Sequence, residues 1–330
     1  MRYLGSKTLL LDAIGKLVED YAGKGVFCDP FGGIGTVGNY MKKKGFAVIT
    51  GDVLNFAHFF QIALVENNDK SCFQKLKRYL NIQKQEELER FLSEIVQKSG
   101  WLIREYAEKR QFFTYENACH IQACIDNINQ WKNKEIISEK EYAILMASLI
   151  DSFDRVANTA GTYYAYLKAY YRKAKKPFRF RLLETTVGNN DCKSYLMDAN
   201  TLVRKIKCDI LYLDPPYNGR DYNRYYHLPE TVSRGIIPEP VGKSGMFTTN
   251  STRSDYNSRQ AGAAFEDLVE HVHAQCIIFH YTDNGLIKIQ DARTILKQKG
   301  DVEEFYFDCK GYNTAFTESK CQHHIFKVVV

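Results

Sequence analysis

The segment from Val26 to Asp52 constrains the fold most. Val26-Phe27-Cys28-Asp29 is a short apolar run ending in a carboxylate, the pattern of a buried strand. Asp29-Pro30-Phe31-Gly32-Gly33-Ile34-Gly35 follows as a glycine-rich loop, and Thr36 to Lys44 reads as a helix stopped by Gly45. Phe46-Ala47-Val48-Ile49-Thr50 is the next strand, closing at Gly51-Asp52, and Asn55 to Glu66 reads as a second helix. Strand, glycine loop, helix, strand and helix in this order predict the opening of a doubly wound parallel α/β sheet.

The pattern then changes. From Asp69 to Ala157 the chain lacks strand periodicity and is amphipathic, with Leu88, Phe91, Leu92, Ile95 and Val96 on one face and Ile144, Leu145, Ser148 and Leu149 on another. This predicts a mainly helical insertion over 67–185, dividing one sheet domain into 1–66 and 186–330. Sheet-like sequence resumes at Cys208 to Leu213 and again at Cys276-Ile277-Ile278-Phe279. A helix over 288–299 precedes two last strands, 302–307 and 325–330, which no helical pattern separates; an antiparallel pair at the sheet edge is expected. Gly242 to Gly262, polar and rich in Ser, Thr, Asn and Arg, is expected to be a mobile loop.

Three strand ends carry chemistry. After Ile210-Leu211-Tyr212-Leu213 comes Asp214-Pro215-Pro216-Tyr217. Two prolines cannot continue a central strand, so the backbone leaves the sheet there. The end of that strand presents a carboxylate, proline carbonyls and an aromatic ring. This set suits an exocyclic amino group on a flat heterocycle, with Asp214 and a carbonyl accepting its two hydrogens and Tyr217 stacking on the ring. For the tetrapeptide alone, an Asp-Pro turn remains the competing reading. The glycine loop after the first strand lacks the GxGxxG spacing, and it lacks the basic residue and hydroxyl of a P-loop, so it is not built for pyrophosphate. Asp52, at the end of the second strand, stands where a carboxylate can hold ribose hydroxyls. Loop and acid together suit an adenosine-containing cofactor without a phosphate chain, which S-adenosylmethionine fits; the alternative is a structural turn beside a surface Asp.

Composition narrows the class further. The 330 residues are 45% hydrophobic and 25% charged, an ordinary globular balance with ample length for a core. No run is long and apolar enough to span a membrane, and Met1 to Lys7 lack the layout of a signal peptide, so a cytoplasmic location is expected. Nine cysteines without a CxxC pair point to reduced thiols. Cys321-Gln322-His323-His324 has no second ligand pair at a metal spacing and reads as a surface or strand-edge cluster, so no metal is expected. The formal net charge of +6 fits a polyanionic partner without requiring one. Location matters more: Lys168 to Arg181 holds seven basic residues, among them Lys168, Arg172 and Lys173, interleaved with four aromatics. Such a stretch either tracks phosphates or is a solvated face.

These residues together resemble an adenine-specific DNA methyltransferase of the Dam-like alpha group, especially the methylases of restriction-modification systems. Tyr3-Leu4-Gly5-Ser6-Lys7 is similar to that family's Y-x-G-x-K element, and Phe31, Gly33 and Gly35 match its F-x-G-x-G. Asp52 stands at its ribose-binding acid, Asp198 at the Asp near the cofactor's adenine, and Asp214 to Tyr217 are its DPPY. Asn158 to Tyr163, Asn218 to Tyr222, Tyr226-His227-Leu228 and His280 to Leu286 are similar to the same subgroup. The chain departs from the pattern at Ala199, where Phe is frequent, and at Pro229, which interrupts a His-Leu-Leu-Glu run.

The resemblance implies a seven-stranded class I S-adenosylmethionine-dependent methyltransferase fold with a helical target-recognition insertion. It implies direct transfer of a methyl group to the N6 amino nitrogen of an adenine flipped out of duplex DNA. Asp214, Pro215, Pro216 and Tyr217 would form the catalytic element, and Tyr3, Lys7, Asp29, Phe31, Gly33, Gly35, Asp52 and Asp198 the cofactor site. Lys7 would meet the cofactor's carboxylate or remain a solvated lysine; Asp198 would meet the adenine or cap the helix beginning near Ala199. Arg220 and Arg224 are placed for phosphates flanking the flipped nucleotide, and Arg253 for a loop closing on DNA. Double-stranded DNA with a target adenine is the expected partner, together with a cognate restriction endonuclease where one exists. The competing readings are an RNA amino-group methyltransferase and a non-catalytic DNA-binding homologue.

Overall fold

The computed structural model describes residues 1–21, 25–69, 72–189, 191–237, 239–246, 254–310 and 320–330, the side chains of 307–310 and 320–321 excepted. Arg253 therefore lies outside the described residues. The chain forms two compact units: a sheet unit of Lys7–Val53, Gly188–Asp221 and Ser251–Val330, and a helical unit of Met1–Ser6, Leu54–Val187 and Tyr222–Asn250. The helical unit takes in more chain than the expected 67–185, drawing in the N-terminal residues and a second segment that follows the DPPY element.

In the sheet unit, seven strands among the described residues run β1 Val26–Asp29, β2 Ala47–Asp52, β3 Lys193–Leu196, β4 Ile210–Leu213, β5 Cys276–Thr282, β6 Asp301–Lys310 and β7 Lys320–Val329. Their order is β3-β2-β1-β4-β5-β7-β6. The first five pair in parallel, while β7 is antiparallel to both β5 and β6. The antiparallel pair expected at the edge is thus present. Strand β3 was not expected; Lys193-Ser194-Tyr195-Leu196 is a short edge strand without a buried residue, so it carries no apolar alternation to read.

Strand order reverses between β1 and β4, which opens a crevice beyond their carboxyl ends. β4 and β5 are buried throughout, as their continuous apolar runs require. On one face, Leu211, Leu213, Ile277, Phe279, Tyr281 and Phe326 join Phe265 and Leu268 of the helix Ala261–His271 in one core cluster. The Phe265 and Phe279 rings lie 4.4 Å apart. Each such side chain contributes about 1.5–3 kcal/mol by leaving water. Within the expected mobile loop, Tyr256 and Asn257 are buried and the helix Ala261–His271 begins.

The helical unit is built on Tyr115–Asn133 and Glu139–Asp154. Thr114 caps the first, accepting from Asn117 N, and Ser138 with Glu141 forms a capping box on the second. The helix Gln85–Glu94 buries Leu88 and Leu92. Ile95 is already its C-cap and Val96 is exposed, so the predicted apolar face is one turn shorter than its periodicity. Asn55–Gln61 is α-helical and Ile62–Glu66 widens into a π-turn.

The basic stretch crosses these helices as an extended strap. Phe178 N, Phe180 N and Leu182 N donate to Asn117, Ser93 and Glu89, and Arg181 N and Leu183 N donate to Ser152 and Ser148. Strap side chains alternate: Phe178, Phe180 and Leu182 are buried while Arg179 and Arg181 are exposed. Pro229 is accommodated in the first turn of His227–Arg234, where its missing N–H would lack an intrahelical partner anyway.

Candidate active site

The carboxyl ends of β1, β2, β4 and β5 bring the chemistry together within the sheet unit. At β4, the prolines turn the chain outward and leave Asp214 with a side chain 17% exposed. Lys7 Nζ lies 2.5 Å from Asp214 Oδ2 and is itself buried. His280 of β5 faces the other oxygen, its Nδ1 3.6 Å from Asp214 Oδ1. Burial pushes the Asp214 carboxyl above its ordinary value, while the Lys7 ammonium pulls it back. An ammonium fixed on this carboxylate is a different placement from a solvated lysine.

Asp29 ends β1 and is buried, accepting from Phe31 N at 3.3 Å. Burial raises its carboxyl well above the usual range, and the negative charge of Asp214 adds to this. The glycine loop then turns on two left-handed residues, Gly33 (φ 50°) and Gly35 (φ 75°), a conformation any side chain would strain. Asp52 at the end of β2 fastens the loop, its Oδ2 accepting from Gly33 N at 3.0 Å. Phe31 packs edge-on against Tyr256, with centroids 4.9 Å apart. Tyr256 in turn donates to Asn200 Oδ1 at 2.9 Å.

Tyr217 sits edge-on to Tyr281 at 6.5 Å, and its carbonyl accepts from Leu286 N. Asn257 Nδ2 donates to the carbonyls of Asn218 and Arg220, at 2.9 Å each, and so clamps the chain after the DPPY turn. Neither Tyr256 nor Asn257 is legible as a site residue, because both fall in a polar run that reads as a loop. Asp198 caps the helix Ala199–Val203, its Oδ1 accepting from Thr201 N at 3.1 Å, and is exposed. Tyr3 lies in the helical unit, stacked 5.0 Å from Tyr226, whose hydroxyl accepts from Leu4 N. Also in that unit, Lys168, Arg172 and Arg224 are exposed, and Lys173 Nζ reaches the Asp154 carbonyl at 3.4 Å. Arg220 is exposed in the sheet unit.

The C-terminal histidines differ from the surface or strand-edge cluster that their spacing suggests. His323 and His324 lie on β7, an inner strand. His323 Nδ1 is 2.7 Å from His280 Nε2, and His324 Nδ1 is 2.9 Å from Glu304 Oε1. Among the described residues, no group of three or more potential ligands could hold a metal ion.

The donor set fits a nucleoside-bearing sulfonium cofactor better than a phosphorylated one. It offers a carboxylate for hydroxyls at Asp52, an ammonium at Lys7 and glycine backbone open to close approach. The mixed seven-stranded sheet with its helices is that of the class I S-adenosylmethionine-dependent methyltransferases. A family model described as D12 class N6 adenine-specific DNA methyltransferase matches residues 3–295. The chain is 35% identical to the type II methyltransferase M.FokI of Planomicrobium okeanokoites over 98% of its own length and 50% of that protein. It is 33% identical to the modification methylase StsI of Streptococcus sanguinis over 90% of its length and 46% of that protein. With the type II methyltransferase M.NlaIII of Neisseria lactamica it shares 32% identity over 97% of its length and 95% of the relative. The chain belongs to the D12 class N6 adenine-specific DNA methyltransferase family. It spans about half the length of the first two relatives and nearly all of the third.

Proposed function

We propose that the chain transfers the methyl group of S-adenosylmethionine to the N6 nitrogen of an adenine flipped out of duplex DNA, as a modification methylase at a defined sequence. The observation that carries this reading is Asp214, half-buried at the end of β4 and gripped by Lys7 beside the point where strand order reverses. When bound, the cofactor supplies an electrophilic methyl on a sulfonium.

The chain's own residues supply orientation and charge. Asp214 and the Pro215 carbonyl accept the two N–H bonds of the amino group, which turns its lone pair out of the ring and toward the methyl. Positive charge grows on that nitrogen, so these acceptors bind more tightly as the reaction proceeds. Pro216 keeps the backbone out of the sheet, and Tyr217 stacks on the extruded base, a contact worth about 1–3 kcal/mol. Gly33, Gly35, Phe31 and Asp29 shape the cofactor's cradle, Asp52 holds its ribose, and Lys7 reaches both Asp214 and the cofactor's carboxylate. Asp198 belongs to the same set, with one oxygen committed to its helix cap; for Tyr3, in the helical unit, the cofactor role rests on the Y-x-G-x-K resemblance.

Target recognition belongs to the helical region. The strap supports a phosphate-tracking role because its inward phenylalanines and hydrogen bonds hold Arg179 and Arg181 outward, an arrangement that costs little ordering on binding. Lys168, Arg172, Lys173 and Arg224 are further candidate phosphate contacts of the helical unit, and Arg220 is one in the sheet unit; Arg253 lies outside the described residues, and its DNA contact rests on the sequence. A cognate endonuclease and a cytoplasmic setting in a bacterium or phage-infected host complete the reading. The test is Asp214→Ala: transfer to DNA is abolished while cofactor binding, followed by calorimetry, survives. Wild-type turnover in this variant sinks the assignment.

A further inference from the structure

Behind Asp214 the structure holds a buried histidine that the reaction described above does not use. Sheet geometry explains its place. Asp214 shares a face with Tyr212 two residues earlier; Tyr212 pairs with Ile278, and His280 lies two residues beyond. His280 pairs with Ile325 across the antiparallel ladder, and His323, two residues from Ile325, is its diagonal neighbour on that same face. Asp214, Tyr212, His280 and His323 therefore form one row, with the two imidazole centroids 4.9 Å apart.

The distances along the row are unequal. His280 Nε2 and His323 Nδ1 are 2.7 Å apart, a hydrogen bond that requires one proton between the rings. Tyr212 Oη lies 3.4 Å from His280 Nδ1. Asp214 Oδ1 lies 3.6 Å from that same Nδ1. A ring N–H pointed at an ionised carboxylate would close to about 2.7–2.9 Å. The gap instead matches two acceptors facing each other with no proton between them. His280 then carries its proton on Nε2, donates to His323, and presents Nδ1 as an acceptor, with the Tyr212 hydroxyl donating to it at 3.4 Å and Asp214 facing it.

We propose that His280, locked in the Nε2–H tautomer by His323, is a positioning residue that makes Asp214 Oδ1 the acceptor of the proton released by the methylated amino group. The inference rests on the methyl-transfer reading and deepens it. As the N6–CH3 bond forms, the S–CH3 bond breaks with its electron pair kept by sulfur. The nitrogen, now cationic, sheds one proton to Asp214 Oδ1. The neutral acid formed there donates to His280 Nδ1, and its proton passes to water after the methylated base departs. Each Asp214 oxygen thus serves one state: Oδ2 on Lys7 holds the carboxylate, Oδ1 on His280 holds the acid. The electrostatics agree in direction. Burial raises Asp214, and burial, followed by the charge of Lys7, lowers His280 well below its ordinary value, which keeps the imidazole neutral. The titratable groups around the row are Lys7, Asp214 and Tyr212 on one side, Asp29 on β1, His323 and His324 on β7 with Glu304 behind His324, and Asp283, which raises His323 against the dominant effect of burial.

Two measurements test this. Nitrogen-15 spectra of the histidine side chains in the cofactor-free protein, which need no methyl transfer, are expected to show His280 as the Nε2–H tautomer. An Nδ1–H tautomer overturns the proposal whatever the enzyme's activity. Single-turnover methylation is then followed from pH 5 to 9 in His280→Phe, which has no acceptor, and His280→Gln, whose amide carbonyl can replace it. Loss of the acceptor is expected to slow His280→Phe by about tenfold or more, with His280→Gln within about threefold of wild type and cofactor affinity unchanged in both. A His280→Phe rate equal to wild type, or a His280→Gln rate as low as that of His280→Phe, overturns it. An active wild type with these outcomes leaves the methylation reading standing, which separates the two failures.

Discussion

Asp29 is 2% exposed, and burial together with the neighbouring acids Asp214 and Asp52 raises its carboxyl well above its ordinary value. The sign of its effect on stability follows from linkage. A carboxyl whose pKa is raised on folding contributes most below its unfolded value of 3.8, and that contribution is lost as pH rises through the raised value. At neutral pH, Asp29 therefore opposes folding. Asp29→Asn is expected to stabilise the protein by about 1–3 kcal/mol at pH 7.5, seen as a rise in Tm, while impairing methyl transfer. A lower Tm in this variant contradicts the account. At this scale the sequence exposes what is contiguous. Asp214 and its prolines stand in one tetrapeptide, and Lys7 stands in a recognisable element. The pairing of His280 with His323 is set by the register of β5 on β7, which no spacing along the chain displays. Tyr256 and Asn257 were hidden for a related reason, since their partners Phe31, Asn200 and Asn218 are distant in sequence.

Elements were legible in proportion to the apolar surface they bury. β1, β4 and β5 are apolar runs and stand out in the sequence; β3 buries nothing and does not. The helix Glu139–Asp154 is buried at every position from Tyr142 to Asp154, so its amphipathic reading captured only part of its packing. The neighbouring helix His227–Arg234 carries a pH-sensitive anchor. His227 is fully buried, its Nε2 donates to the Tyr163 carbonyl at 2.8 Å, and burial pushes its pKa down to about 4. A histidine lowered on folding contributes stability that is fully present above its unfolded value of 6.5 and is lost as pH falls toward about 4. The helical unit should therefore lose on the order of 3 kcal/mol over that window. Urea midpoints at pH 7 and pH 4.5 check this: the wild type falls more steeply than His227→Gln, and parallel slopes contradict it.

For the whole molecule, the informative property is how the chain is divided. A sheet unit interrupted twice, after β2 and after the DPPY turn, keeps Lys7, Asp29, Asp52, Asp214 and His280 within one compact body. The helical unit holds most of the exposed cations and the strap. None of its helices, nor any other among the described residues, is long and apolar enough to cross a membrane. Fold class was legible because strand, glycine loop and acid recur at successive strand ends; the reach of the helical unit was not, because its second segment joins it only through tertiary packing. The central claim is the reaction itself. The direct measurement is to incubate the protein with radiolabelled S-adenosylmethionine and either plasmid DNA or total RNA, digest each, and identify the labelled nucleoside. The account predicts label in DNA as N6-methyladenine and none in RNA; label in an RNA base, or in a DNA cytosine, contradicts it.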